Sequence, residues 1–385
     1  MQSGAAVVLG GELNGLGVCR SLGRAGIPTY MVDRKRLNPA MWSRYAHPVL
    51  VHSLQGPELI DAMLGLQAKL GQQLFVAITD EMSVLTISAE REKLHDAFLL
   101  RLPDRNTVTM LHNKAQFQEF AIAHGLPMPE TVIVRERGDL AGVARLRAPI
   151  IIKPADKRHF HTGDTPRLVV AQNTQAALSA CDRMLEKSGE IVASEWIDGP
   201  DDNIYFSLFY RGRGGAIVSM FTGRKLASTP PKFGSTAFCT VADEARAAIE
   251  PITMAFADMV DYGGFGSVEY KWDEANRRFI IIEPTVGRTD WQEEIATLSG
   301  VNIPLDAYRH EFGLPPLPRS ANGGKIVWQS SCIERLRLGS GKLPPDSIVV
   351  DGYWRADDPM PAIVHYPQDF CAAAYQRALS ARRAA

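Results

Sequence analysis

The chain has 385 residues, of which 45% are hydrophobic and 22% charged, with 42 Lys and Arg against 43 Asp and Glu. That length exceeds one compact core of ordinary size and implies two or three lobes. A net charge of −1 excludes the basic footprint of a nucleic-acid or anionic-membrane binder. The five cysteines, Cys19, Cys181, Cys239, Cys332 and Cys371, are too widely spaced for a zinc site or a disulfide framework, which favours a reducing compartment. No apolar run approaches the ~18 residues of a membrane span, and the start, Met1 to Ala5, lacks the basic n-region of a signal peptide. The chain reads as a cytoplasmic protein with no membrane or nucleic-acid partner.

Ala5 to Leu9 predicts a short strand. Gly10 to Gly17 is a glycine-rich turn opening a helix to about Ala25, which Gly26-Ile27-Pro28 stops. Thr29 to Val32 is a second strand ending in Asp33, and the three form a βαβ unit. Leu74 to Ile78 is a further strand, so residues 1–105 read as a small open parallel sheet. A helix spans about Lys114 to His124, with Phe117, Phe120 and Ala121 on one face. Pro149 to Pro154 is a buried strand with Lys153 at its end. Residues 155 to 168 form a polar loop, and another helix spans about Thr174 to Ser188. Ile191 to Ile197 is a strand broken by Asp198-Gly199-Pro200. Tyr205 to Tyr210 and Ala216 to Phe221 read as paired strands, and Arg246 to Tyr262 as a helix. Phe265 to Lys271 and Arg278 to Glu283 are strand patterns joined by polar turn formers, Asp273 to Asn276, which predicts a hairpin. Leu314-Pro315-Pro316-Leu317-Pro318 marks a boundary. Beyond it lies a separate annex, with one strand near Ile326 to Gln329 and a terminal helix near Asp369 to Arg382.

The hairpin offers one carboxylate from each strand, Glu269 and Glu283. Like charges held side by side repel unless a cation neutralises them, and hard oxygen ligands suit Mg²⁺. A solvated hairpin with two surface acids is the plainer account. Lys153 closes an apolar strand and must point into a cleft or find an acid. With Lys114 it could hold nucleotide phosphates, for which a strongly hydrated point charge is suited; two surface lysines is the alternative. The loop Asp156 to Gly163 adds basic groups and reads either as a phosphate lid or as a solvated loop. The glycine turn with Asp33 resembles a dinucleotide fingerprint, but its spacing departs from G-x-G-x-x-G. A tight turn packing a helix on a sheet fits it better than nicotinamide binding.

Taken in order, these elements resemble the ATP-grasp superfamily of carboxylate–amine or carboxylate–thiol ligases over about residues 5 to 312, in particular its D-aspartate-ligase-like branch. The resemblance rests on the N-terminal sheet, Lys114, Ile151-Ile152-Lys153-Pro154, the hinge Ser194-Glu195-Trp196-Ile197, the two acids Glu269 and Glu283, and Gly287-Arg288. It implies an α/β chain with the ATP-grasp fold: an N-terminal parallel α/β domain (1–105), a small lobe (106–193), a large lobe with a metal site (194–313) and a C-terminal annex (314–385), the two α+β lobes enclosing the nucleotide. It also implies that Lys114 and Lys153 contact ATP phosphates, that Glu195 and Ile197 line the adenine slot, that Asp201 takes the ribose, and that Glu269 and Glu283 hold Mg²⁺. Family members place Asn two residues after the second acid; here Thr285 stands there, a hydroxyl that could still ligate the metal, and the following Arg is displaced by one, to Arg288.

The implied reaction is ATP-dependent ligation of a small-molecule carboxylate to an amine through an acyl phosphate, with Lys153 and Arg288 in catalytic roles. Arg288 would orient the carboxylate or stabilise the tetrahedral intermediate. Arg224 and Lys225, expected on a loop after Phe221, are weaker candidates for the same cleft; otherwise they cap a sheet edge. A homodimer is compatible with the resemblance. The alternative, which Thr285 feeds, is a degenerate ATP-binding regulator or scaffold. A nicotinamide-dependent oxidoreductase rests only on the glycine turn and Asp33.

Overall fold

In the computed structural model the described residues are 4–156, 166–318, 325–334 and 343–371. By packing, the chain divides into two units. One comprises Met1–Pro103, Phe206–Ser267 and Gly287–Ala385; the other comprises Asp104–Tyr205 and Val268–Val286.

The first unit opens with strands β1 (Ala6–Leu9), β2 (Thr29–Asp33), β3 (Ala46–Leu50), β4 (Leu74–Ile78) and β5 (Phe98–Leu99), in the order β3-β2-β1-β4-β5. All are parallel. A parallel sheet is covered on both faces and its central strands become continuous apolar runs; every residue of β1 and β4 is buried. The glycine turn packs the helix Leu13–Arg24 against this sheet: a Cβ on Gly15 would lie 2.0 Å from the Gly10 carbonyl oxygen. Asp33 is taken up by its own chain. Its carboxylate accepts from the Gly11 amide, from Lys35 N at 2.7 Å and from Asn38 Nδ2 at 2.8 Å. These bonds account for Asp33 without a ribose, and the nicotinamide reading loses its acid.

The second unit holds an antiparallel sheet of β6 (Thr131–Val134), β7 (Ile150–Pro154), β8 (Val169–Ala171) and β9 (Ile191–Glu195), in the order β6-β9-β7-β8. The helix Thr174–Ser188 covers it. Asn173 caps that helix, accepting from Ala176 N, and Gly189 ends it in the left-handed conformation. Ala177, Ala180, Cys181 and Met184 on its buried face join Ile150, Ile152, Ile191 and Ala193 in one apolar cluster. Residues 157–165, most of the expected lid loop, lie outside the described residues.

Strands β10 (Ile204–Arg211), β11 (Ile217–Thr229) and β12 (Ser235–Val241) return the chain to the first unit. Arg224 and Lys225 are not on a loop, as the sequence reading expected. They lie inside β11, paired with Thr240 and Cys239 of β12. The ladder continues through these polar residues because β12 supplies main-chain partners along it, and Lys225 is buried. The hairpin is present as expected: β13 (Gly264–Asp273) and β14 (Arg278–Val286), with the Asn276 amide donating to the Asp273 carboxylate in the turn. Strands β15 (Ile326–Gln329) and β16 (Ile348–Asp351) continue the sheet of β10, β11 and β12 beyond β12. A helix follows over 360–371, and the rest of the expected terminal helix lies outside the described residues. Packing joins this C-terminal stretch to the first unit. The buried Arg20 donates to Asp358 Oδ2 at 2.9 Å and to the Gly352 carbonyl at 2.7 Å. Among the described residues no helix is long and apolar enough to cross a membrane.

Candidate functional site

Eight of the nine expected site residues fall in the second unit. Lys114 opens the helix Lys114–Ala123, whose first turn is capped by the Asn113 side chain accepting from Ala115 N and Gln116 N. The Lys114 amide donates to the Ala155 carbonyl at 2.9 Å. Ala155 lies two residues past Lys153, so this bond brings the start of the helix to the end of β7. Ala115 and Ala155 are buried together against Val192. One main-chain hydrogen bond and a small apolar seam thus tie the start of the Lys114 helix to the chain just past Lys153.

The Lys114 ammonium stands 3.4 Å from the Glu283 carboxylate on β14. Thr285 follows Glu283 by two residues on the same strand and therefore shares its face. Glu269, on β13, is half-buried and shares a face with Lys271 for the same reason. Among the described residues no group of three or more His, Cys, Asp and Glu is placed to hold a metal. A magnesium ion here would rest on the carboxylates of Glu269 and Glu283 and the Thr285 hydroxyl. All are hard oxygen donors of the kind Mg²⁺ takes, with substrate phosphate and water completing the shell. The donor chemistry fits.

The side chain of Glu195, a residue expected to line the adenine slot, is engaged by its own chain. Its carboxylate is held in a fork by Arg147, with Nε to Oε2 at 3.0 Å and Nη2 to Oε2 at 2.8 Å, and also accepts the Arg147 amide at 2.9 Å. Burial alone would raise its pKa; the Arg147 hydrogen bonds and charge outweigh that and hold the carboxyl below the usual carboxylate range. Beyond β9 the Trp196 amide donates to the Pro149 carbonyl at 2.9 Å. Arg147 carried no sequence signal, because its partner lies across the sheet. Asp201 opens a short 3-10 turn, Asp201–Asn203, just after the Asp198-Gly199-Pro200 break.

Arg288 belongs to the first unit. It is half-exposed and donates Nη1 to the Thr289 carbonyl at 3.0 Å. The turn before it is anchored by Tyr262, a residue the sequence reading assigned no role. The buried Tyr262 hydroxyl donates to the Phe265 carbonyl and accepts from the Gly287 amide, both at 2.8 Å. Past Arg288 comes an acidic turn. Asp290 accepts from Ser267 Oγ at 2.7 Å and from Trp291 N at 2.8 Å. Glu293 is 3% exposed. Burial, then the neighbouring Asp290 charge, push its pKa up to about 8, against a main-chain hydrogen bond at Asp290 that pulls it down.

With an N-terminal parallel sheet, a small antiparallel lobe that carries Lys153 on β7, and an acidic hairpin, the chain has the ATP-grasp fold. In sequence it is similar to the D-aspartate ligase of Enterococcus faecium, 23% identical over 77% of this chain and 74% of that protein. In structure it is similar to the N5-carboxyaminoimidazole synthetase of Staphylococcus aureus complexed with ADP, with a TM-score of 0.64, 17% identity, and 83% and 80% of the two chains covered. It is also similar to the biotin carboxylase of Campylobacter jejuni in its β,γ-ATP complex, with a TM-score of 0.61, 15% identity, and 81% and 72% covered. No protein-family profile matches the chain.

Proposed function

We propose that the protein is an ATP-dependent ligase that joins a small-molecule carboxylate to an amine. The γ-phosphoryl passes to a carboxylate oxygen and ADP leaves. The amine nitrogen then attacks the acyl carbon, phosphate departs with the electron pair of the C–O bond, and the proton lost from the nitrogen passes to the departing phosphate or to water. No covalent protein nucleophile is needed; the chain contributes positioning and charge. Bound Mg²⁺ supplies charge neutralisation at the phosphates. Lys114 and Lys153 hold phosphate oxygens, Asp201 takes the ribose hydroxyls, the main chain of Glu195 to Ile197 meets the adenine edge, and Arg288 orients the carboxylate.

The observation that supports this most directly is the meeting of Lys114 with Glu283 at 3.4 Å, on a helix start tied beside Lys153. It puts a cation suited to phosphate against an acid suited to metal. The relatives and structural neighbours include ligases of this kind, one of them named for D-aspartate. We place the reaction in the cytoplasm, in keeping with the free cysteines Cys19, Cys181 and Cys239. The test is phosphate release from ATP with Mg²⁺, assayed across a panel of carboxylates, D-aspartate first, paired with a panel of amines. Release that requires both partners, with an amide product by mass spectrometry, is expected. Tight ATP binding with no release under any pairing would favour the degenerate regulator that Thr285 suggests.

A further inference from the structure

Lys271 is an ammonium buried where no charge is expected. It lies on β13 two residues after Glu269, and it is 3% exposed. Taking an ammonium out of water is costly unless its donors are satisfied and counter-charges lie close. Two of its three N–H groups are accounted for: Nζ donates to the Gly199 carbonyl at 3.0 Å and to the Pro200 carbonyl at 2.8 Å. Burial lowers its pKa, and the charges of Asp201, Asp198, Glu269 and Asp202 act in the opposite direction. The loop is seated on its stem as well. Gly199 has φ +135°, a region that favours glycine; a Cβ there would meet Asn203 Nδ2 at 2.8 Å and Lys271 Cε at 3.4 Å.

We propose that Lys271 is a positioning residue of the nucleotide site, its ammonium holding the Asp198-Gly199-Pro200-Asp201 loop against the strand that carries Glu269. The proposal rests on the ligase reading above. On that reading one loop presents the ribose acid and one strand presents a metal acid, and a single side chain sets the spacing between them. A merely structural lysine would need only any loop over it. This one takes two successive carbonyls immediately before Asp201, so its loss frees the residue that should meet the sugar.

The test is ADP and ATP titration with Mg²⁺ by calorimetry on the full chain. Wild type is compared with Lys271→Met, which keeps the stem and removes the charge, and with Lys271→Arg, which keeps the charge. Hydrogen exchange of residues 198–205 is followed alongside. The expected result is a Kd raised at least tenfold in Lys271→Met, partial recovery in Lys271→Arg, faster exchange confined to 198–205, and a KM for ATP that rises more than kcat falls. Gly199→Ala, which displaces the loop and removes no charge, is expected to weaken nucleotide binding similarly, and it serves if Lys271→Met does not fold. Wild-type binding with unchanged affinity in Lys271→Met, or in Gly199→Ala where that variant stands in, overturns the clamp alone. No nucleotide binding by wild type overturns the ligase reading, and the clamp with it.

Discussion

Lys114 and Glu283 stand 3.4 Å apart, one in the first turn of a helix and the other on β14. Glu283 is 40% exposed, and a pair this open contributes at most about 1 kcal/mol to stability. On the ligase reading proposed above, its value is to the site. Glu283→Gln should reduce Mg²⁺-dependent phosphate release at least about 100-fold, the scale of losing one transition-state electrostatic contact. The same change should move the thermal midpoint without metal by no more than about 4 °C. A rate within tenfold of wild type would remove Glu283 from the metal site.

Lys153 is the penultimate residue of β7, two residues before Ala155, whose carbonyl anchors the start of the Lys114 helix. Lys153→Ala should weaken ATP binding by roughly 10- to 100-fold, the loss expected for a charge-assisted hydrogen bond to phosphate, with the fold kept. Isothermal titration checks it, and an unchanged Kd contradicts the assignment.

Thr285 and Arg288 offer competing accounts of the place where the ATP-grasp resemblance implies an amide. If Thr285 ligates the metal, Thr285→Asn keeps or raises turnover and Thr285→Val lowers it at nearly constant shape. If Arg288 has taken over charge neutralisation, Thr285→Val is silent and Arg288→Ala inactivates. Steady-state rates of the three variants at saturating Mg²⁺ separate the two accounts.

Glu195 is committed to Arg147, so its side chain is not expected to bind nucleotide. Glu195→Gln should leave the Kd for ATP within about twofold, a change of less than about 0.5 kcal/mol. A tenfold loss would return the carboxylate to the adenine slot.

Glu293 links pH to stability. Its carboxyl is pushed from 4.5 to about 8 in the folded chain, so between those values the unfolded chain ionises it and the folded chain keeps it protonated. The group's stabilising contribution is full below the unfolded pKa and is lost as pH rises through the folded one. Thermal midpoints measured from pH 4.5 to 8 should therefore fall more steeply in wild type than in Glu293→Gln, which cannot ionise. Parallel curves would show that the group is not held protonated.

Local pattern was enough for much of the fold. The apolar run of β1, the helix Thr174–Ser188 between its Asn173 cap and Gly189, and the β13–β14 turn were legible because each depends on residues a few positions apart. Periodicity and capping act over that range. Tertiary structure decided what the sequence left open. The polar stretch at Arg224 and Lys225 became strand because β12 pairs with it. Glu195 lost its freedom to Arg147, and Asp33 to Gly11, Lys35 and Asn38. Lys114 found Glu283, and Lys271 found the carbonyls before Asp201. Charged side chains are long and their partners are chosen by the packing of distant elements. A sequence can therefore nominate a lysine or a carboxylate for a site, but only the folded chain determines which of them is left facing the ligand.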